Sequence, residues 1–461
     1  MNAPAVSPEL VQQLVAELGA DGVLQGSDVT SRGAGIWRSD NIAAQVLVRP
    51  KTTAEVSFVL RLCHQYGQTV VPQGGLTGLV EGGLTTGTDL VLSLERMNQI
   101  ENIDPLQRTA LVQSGVVLQT LQEAVEAEGL MFPLDLGGRG SCTIGGNIST
   151  NAGGNRVIRY GMMRDMVLGL EAVLADGTVI SSLNQMIKNN AGYDLKQLFI
   201  GSEGTLGVVT RAVLRCRELV TTQPTMLVAV DNFPSLGLLL KHMDRGLSGG
   251  VSAFEVMWRN FYELVSTPPA KNTAPIQADY PYYVLIEANG CEDELVQTVL
   301  GEALEKGLAA DAVLASSDAQ RLQLWALRDD VEQCFRFGQP FIYDVSLPTA
   351  AMEGYVETVN ARLADKFEQP RNFTFGHLGD GNLHFVVSVG DESAAARRAV
   401  EDCVYPPLAA VAGSVSAEHG IGLEKKPYLN LSRNAAELGL MRSLKAALDP
   451  KGILNPDKVL V

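Results

Sequence analysis

Five histidines occur in the 461 residues: His64, His242, His377, His384 and His419. Three of them crowd two short motifs, Gly376-His377-Leu378-Gly379-Asp380-Gly381-Asn382-Leu383-His384 and Ser416-Ala417-Glu418-His419-Gly420-Ile421-Gly422. On one continuous strand, His377 and His384 would face opposite ways. Gly379-Asp380-Gly381-Asn382 is a turn sequence, however, and a strand–turn–strand can bring both imidazoles to one point. Adjacent Glu418 and His419 would also diverge on a strand, but Gly420 allows an irregular backbone, so each can serve one site in a different role. Two imidazoles and a carboxylate with open positions suit a catalytic Zn²⁺, with Mn²⁺ and Fe²⁺ as second choices. Hydrogen-bonded structural histidines are the alternative, and for any single histidine the better one. His64, in a helical pattern, and His242 read as surface or boundary residues.

Two glycine-rich stretches hold a second signal: Val70–Gly83, VVPQGGLTGLVEGG, and Asp135–Gly161, DLGGRGSCTIGGNISTNAGGNRVIRYG. A pyrophosphate needs several backbone N–H donors at close range, and a Cβ in the turn obstructs that approach. Runs such as Gly74-Gly75 and Gly145-Gly146-Asn147 allow consecutive N–H groups to point inward as an anion nest. Ser141, Thr143, Asn147 and Asn151 add short polar side chains. The first loop alone is explained as well by a tight turn. It is neither GxGxxG nor a P-loop, so neither a nicotinamide fold nor an ATPase is indicated. A third run, Gly201-Ser202-Glu203-Gly204-Thr205-Leu206-Gly207, shifts the balance to a large phosphorylated cofactor.

In this order, PQGGLTG, TIGGNISTNAGG, RYG and GSEGTLGVVT resemble the FAD-binding domain of the p-cresol methylhydroxylase and vanillyl-alcohol oxidase superfamily. Within it the chain is similar to the FAD-linked D-2-hydroxyacid dehydrogenases, the D-lactate, glycolate and D-2-hydroxyglutarate branch, over essentially its whole length. The resemblance implies an α+β fold: a two-part FAD-binding domain, an α+β substrate or cap domain with an antiparallel sheet, and a C-terminal segment returning to the FAD domain. It implies FAD contacts from Pro72, Gln73, Gly74, Gly75, Leu76, Thr77, Gly78 and Leu79, and from Pro133, Leu134 and Asp135. Ser141, Thr143, Ile144, Gly145, Gly146, Asn147, Asn151, Gly153, Gly154, Tyr160 and Gly161 join them, with Glu203, Gly204, Gly207, Val208, Val209 and Asn455. Many superfamily members attach the flavin through a His in the first loop; here no His lies within residues 65–241, which predicts noncovalent FAD.

The resemblance also assigns His377, His384 and Glu418 to a metal, His419 to the catalytic base and Arg328 to a grip on the substrate carboxylate. That assignment puts the metal ahead of structural histidines for the set. On the bare sequence, Arg328 reads as an exposed helix arginine. The chemistry agrees with the assignment. Flavin takes hydride from an alcohol carbon readily only as the O–H proton leaves, which needs a Lewis acid on oxygen and a base beside it. Two positions depart from the branch that acts on 2-hydroxyglutarate. That branch carries a Lys just before Tyr343-Asp344-Val345-Ser346-Leu347-Pro348, where this chain has Phe341-Ile342. It also has an Asn two places after the second metal His, where this chain has Val386. Both changes replace polar groups with apolar ones and favour a monocarboxylate such as D-lactate or a longer homologue. The alternatives are D-2-hydroxyglutarate, a metal-free flavin alcohol oxidase, and a metal-dependent hydrolase with merely structural glycines.

These sites need elements to hold them. The pattern predicts a helix starting near Ser7-Pro8, a strand over Ala44–Val48, a helix over Thr53–Tyr66 capped by Thr52 or Thr53 and stopped at Gly67, and a strand over Gln68–Val71. Leu168–Leu174 and Thr178–Ser181 form a hairpin about Asp176-Gly177. Later, helices over Leu295–Lys306, Asp318–Phe337 and Met352–Phe367 separate strands such as Thr225–Val230 and Tyr282–Glu287, and residues 259–281, with four prolines, read as an exposed loop. The expected division is 1–218, FAD-binding; 219–415, substrate or cap; and 416–461, a C-terminal segment on the FAD domain.

A net charge of −16 disfavours nucleic acid and anionic membranes as partners. Six scattered cysteines without a CxxC pair predict buried thiols rather than disulfides, zinc ribbons or iron–sulfur clusters. No apolar run reaches the roughly 18 residues needed to span a bilayer, and no signal-peptide pattern opens the chain, so a cytoplasmic protein is expected. With no NAD, haem or iron–sulfur motif, electrons must pass to an external acceptor: electron-transfer flavoprotein, a quinone or a cytochrome. A homodimer is the family expectation.

Overall fold

The structure, a computed structural model, describes residues 6–460. It divides into two compact units. One comprises the chain up to Gly154, Gly161–Leu219 and the segment from Glu418 on; the other comprises Asn155–Tyr160 and Val220–Ala417. Among the described residues, no helix is long and apolar enough to cross a membrane. All six cysteines are buried and free, as their scatter predicted.

In the first unit the strands Val23–Gln25, Val46–Val48, Leu90–Ser93 and Val70–Gln73 lie side by side in that order, the last three parallel. The helix Thr53–Tyr66 covers them. Thr52 caps it by accepting from the Glu55 N–H at 3.1 Å, and Gly67 ends it at φ 65°. Its apolar face (Val56, Val59, Leu60, Cys63) is buried against Val46, Val48, Val70 and Leu90. The strand expected over Gln68–Val71 lies at Val70–Gln73 instead. Its parallel ladder with Leu90–Ser93 extends to Gln73, two residues beyond the apolar pair that marked it in the sequence. Its other edge is covered from the far end of the chain: Val70 N–H donates to Ile453 O and Asn455 N–H to Val70 O, both at 2.8 Å. A five-stranded antiparallel sheet, ordered Ile100–Asp104, Thr109–Gln113, Val208–Arg215, Val167–Val173, Val179–Ser182, completes this unit's main layers and contains the expected hairpin.

The second unit is built on a seven-stranded antiparallel sheet ordered Asp311–Leu314, Thr225–Val230, Tyr282–Ala288, Val251–Trp258, Arg371–His377, Asn382–Ser388, Phe341–Ser346. The short Asn155–Tyr160 segment is fixed to it. Arg156 donates from Nε and Nη2 to the two oxygens of fully buried Glu287, at 2.9 and 3.1 Å, and Arg159 Nη1 donates to Gly250 O at 2.8 Å.

Two sequence expectations fail here. The helix expected over Asp318–Phe337 stops at Asp329. Asp330 leaves helical geometry at ψ 48°, and Val331–Phe337 continues as a tighter three-residue-per-turn helix. Residues 259–281 are not one exposed loop, because Arg259–Ser266 is a helix whose Phe261, Tyr262 and Val265 are fully buried. All four prolines of that stretch fall after this helix, at Pro268, Pro269, Pro275 and Pro281, so they constrain only its second half.

Candidate active site

In the second unit, Arg371–His377 and Asn382–Ser388 pair as an antiparallel hairpin with a single helical turn, Leu378–Asp380, and Gly381 at φ 89° between them. Gly376 cannot be larger: a Cβ there would lie 2.5 Å from Asn382 O. This geometry turns His377 and His384 toward each other, with Nε2 to Nε2 3.3 Å and ring planes at 85°. Both rings are buried, 5% and 8% exposed.

Directly opposite His377 on the neighbouring strand stands Glu255, fully buried. His377 Nδ1 donates to its Oε1 at 2.6 Å, and Arg328 Nε donates to its Oε2 at 2.9 Å. Burial pushes the Glu255 carboxyl up, but His377 and Arg328 outweigh it and hold the group below its ordinary value. Opposite His384 stands Asp344, whose Oδ1 is 4.0 Å from His384 Nδ1. Asp344 Oδ1 accepts from Asn382 Nδ2 at 2.8 Å, and its Oδ2 accepts from the Ala417 N–H at 3.0 Å. Glu418 and His419 follow Ala417 directly, both half-buried.

Arg328 is therefore not the exposed helix arginine of the bare sequence. It is 5% exposed, at the buried end of the Asp318–Asp329 helix, with its guanidinium 4.6 Å from the Phe375 ring centre. Glu255 and Asp344 were not singled out from sequence. Each is the lone charged residue in a largely apolar strand, VSAFEVMW and FIYDVS, and that contrast was the available signal.

The donor set suits a cation. With Nδ1 of His377 committed to a carboxylate, its Nε2 can accept a hydrogen bond from the His384 Nε2–H at 3.3 Å or share a cation with that nitrogen. Carboxylates behind ligating imidazoles are the usual second layer of metal sites. His377 with His384, and His384 with Asp344, each bring ligand atoms within 4.8 Å.

The glycine loops lie in the first unit. Thr143 caps the Ile144–Thr150 helix, and Asn151 ends it at φ 50°. A Cβ on Gly75 would lie 2.0 Å from Ser141 O, one on Gly145 2.5 Å from Ser114 Cβ, and one on Gly154 1.9 Å from Asp135 O. These glycines let the loops pack against one another, a different reason from the close cofactor approach inferred from sequence. Gly78, by contrast, faces open space. Glu203 and Asn455 tie loops to the C-terminal segment. Glu203 accepts from the Ile421 and Gly422 N–H groups at 2.7 and 2.9 Å, while burial pushes its carboxyl up against those bonds. Asn455 Nδ2 donates to Gly82 O at 3.1 Å and Glu203 O at 2.8 Å. Asn455 Oδ1 and Ser114 Oγ are buried with no protein partner, as polar groups awaiting a cofactor would be. Gly153 makes room for Glu418, whose Oε1 is 2.7 Å from where a Cβ would stand. Tyr160, grouped with the cofactor loops by sequence, belongs to the other unit, and its hydroxyl accepts from Asn289 Nδ2 at 3.3 Å.

Comparison with known proteins decides the family. Residues 44–182 match the model of an FAD binding domain, and residues 221–459 that of the C-terminal domain of FAD-linked oxidases. The chain belongs to the FAD-linked oxidases. A mitochondrial D-2-hydroxyglutarate dehydrogenase of Bos taurus is 43% identical over 91% of this chain and 77% of its own length. A D-2-hydroxyglutarate dehydrogenase of Xanthomonas citri pv. viticola is 38% identical over 94% and 91%. A Schizosaccharomyces pombe protein provisionally named a mitochondrial D-lactate dehydrogenase is 37% identical over 90% and 81%. Among solved structures, p-cresol methylhydroxylase with substrate bound superposes with a TM-score of 0.78 at 16% identity, covering 98% of this chain and 96% of that one. The motif-based membership in the FAD-linked D-2-hydroxyacid dehydrogenases and the α+β fold of the p-cresol methylhydroxylase type are both borne out. This FAD-linked oxidase is an oxidoreductase, which removes the hydrolase alternative.

One substitution tests the loop packing of the FAD-linked oxidase. Gly75→Ala drives a methyl into the Ser141 backbone carbonyl, which has no flexible side chain to yield, at a cost of about 1–3 kcal/mol or more. The purified variant is expected to lose most of its flavin, read as the visible flavin band per protein; full flavin content would show that the loops can part.

Proposed function

We infer that the protein oxidises a D-2-hydroxy acid to the 2-oxo acid with noncovalent FAD and a divalent metal, Zn²⁺ ahead of Mn²⁺ or Fe²⁺, passing electrons to an external acceptor. The observation that carries this reading is the buried imidazole pair, His377 and His384, with nitrogens 3.3 Å apart and carboxylates behind both rings. Bound FAD supplies the acceptor for the C2 hydride, and a bound divalent ion the Lewis acid for the 2-hydroxyl. The protein's part is to hold, orient and deprotonate. His377, His384 and Glu418 would hold the ion. Glu418 is one peptide bond from Ala417, whose N–H is fixed by Asp344, the acid opposite His384. His419 takes the hydroxyl proton. Arg328, with Nε committed to Glu255, offers its terminal nitrogens to the substrate carboxylate.

Strand register supports a monocarboxylate substrate. Ile342 and Val386 stand opposite each other, one step along the same sheet face from the Asp344–His384 pair. Both join an apolar cluster with Leu324, Trp325 and Phe373. The two positions where the 2-hydroxyglutarate branch is polar are thus paired and packed among apolar side chains beside His384, and neither offers a polar group to a second substrate carboxylate. D-2-hydroxyglutarate is the second reading, favoured by the names of the relatives at 38–43% identity.

Anaerobic mixing of the enzyme with D- and L-2-hydroxy acids, watching flavin bleaching with and without chelator, tests all of this. D-Lactate-like acids are expected to bleach fastest, and chelator to stop them. A specificity constant far higher for D-2-hydroxyglutarate would install the second reading. Chelator-insensitive bleaching, followed by peroxide production once air is admitted, would indicate a metal-free oxidase.

A further inference from the structure

We propose that Glu255 is a positioning residue, one carboxylate that fixes the tautomer of His377 through one oxygen and the aim of the Arg328 guanidinium through the other. It rests on the metal reading above. Glu255 sits at the centre of the Val251–Trp258 strand, fully buried, where an ionised carboxylate is costly unless both oxygens are satisfied. Arg328 alone would neutralise it. The second oxygen is instead spent on His377 Nδ1 at 2.6 Å, a contact built into the backbone because Glu255 and His377 are direct cross-strand partners.

Two consequences follow from that arrangement. A carboxylate has no proton to donate, so Nδ1 keeps one and Nε2, the nitrogen facing His384, is left with the lone pair a metal needs. Arg328, held at Nε by Glu255 and laid over the Phe375 ring, has its guanidinium fixed in place by both contacts. The same carboxylate thus prepares a metal ligand and a carboxylate grip.

The test compares wild type with Glu255→Gln, which keeps size and removes charge, as FAD-loaded enzymes titrated with Zn²⁺ against a competing chelator. The variant is expected to bind Zn²⁺ about 10–100-fold more weakly with unchanged flavin content. Equal affinities in the two would overturn the proposal while leaving the metal reading intact. A wild type that binds no Zn²⁺ would overturn the metal reading, and this inference with it. Should Glu255→Gln fail to fold, wild-type enzyme labelled with ¹⁵N-histidine and stripped of metal reads the tautomer directly, the His377 signal being assigned by its loss in His377→Gln. A protonated Nδ1 and bare Nε2 are expected, and the opposite tautomer would overturn the proposal.

Discussion

His419→Ala is expected to keep its FAD and its metal while turnover falls about 10²–10⁴-fold, the range a positioned general base contributes. In the proposed reading His377, His384 and Glu418 would hold the ion, and Gly75, Gly145 and Gly154 let the flavin loops pack, so His419 would be left for the proton. On that reading the variant lacks a place for the hydroxyl proton, and hydride does not leave an alcohol carbon readily while that proton stays. The measurements are flavin absorbance, metal content and the rate of flavin bleaching by substrate on the same preparation. Near-normal bleaching would remove His419 from the reaction; joint loss of metal and rate would make it a ligand instead.

Removing an imidazole from the facing pair should cost at least as much. His384→Ala deletes one of two nitrogens 3.3 Å apart and leaves Asp344 without the ring that stands opposite it on the neighbouring strand. A Lewis acid is worth several kcal/mol at the developing alkoxide, and about 4 kcal/mol corresponds to roughly 10³ in rate. The variant is therefore expected to purify yellow, with flavin intact, but with little metal and turnover reduced about 10³-fold or more. Elemental analysis alongside steady-state kinetics checks it. Full metal content in His384→Ala would show that the ion sits elsewhere.

The parts of this fold that could be read from sequence are those whose signals are local. Thr52 and Gly67 announce the ends of one helix, Asp176-Gly177 announces a hairpin, and Gly379–Gly381 folds two histidines back on each other. What stayed hidden depends on strand order. Glu255 is 122 residues from His377, and only the pairing of their strands makes them partners. Arg328 looked like a surface residue because its helix carries polar residues around it; its burial is decided by the sheet beneath. In the same way, proline density suggested a loop over 259–281, although Phe261, Tyr262 and Val265 at helical spacing had already marked its first turns as buried. The glycines were found for a partly different reason than expected, since several serve loop-to-loop contact.

The pairing of Val70 with Ile453 and Asn455 carries a consequence for how the chain comes into being on the ribosome. At synthesis speeds of about 5–20 residues per second, the strand around Val70 waits on the order of 20–80 seconds for its companion to be made. Nearly all of the antiparallel seven-stranded unit emerges during that interval and can mature as a self-contained insert. The strand around Val70 thus keeps one margin without its partner until residues 453–455 have been made.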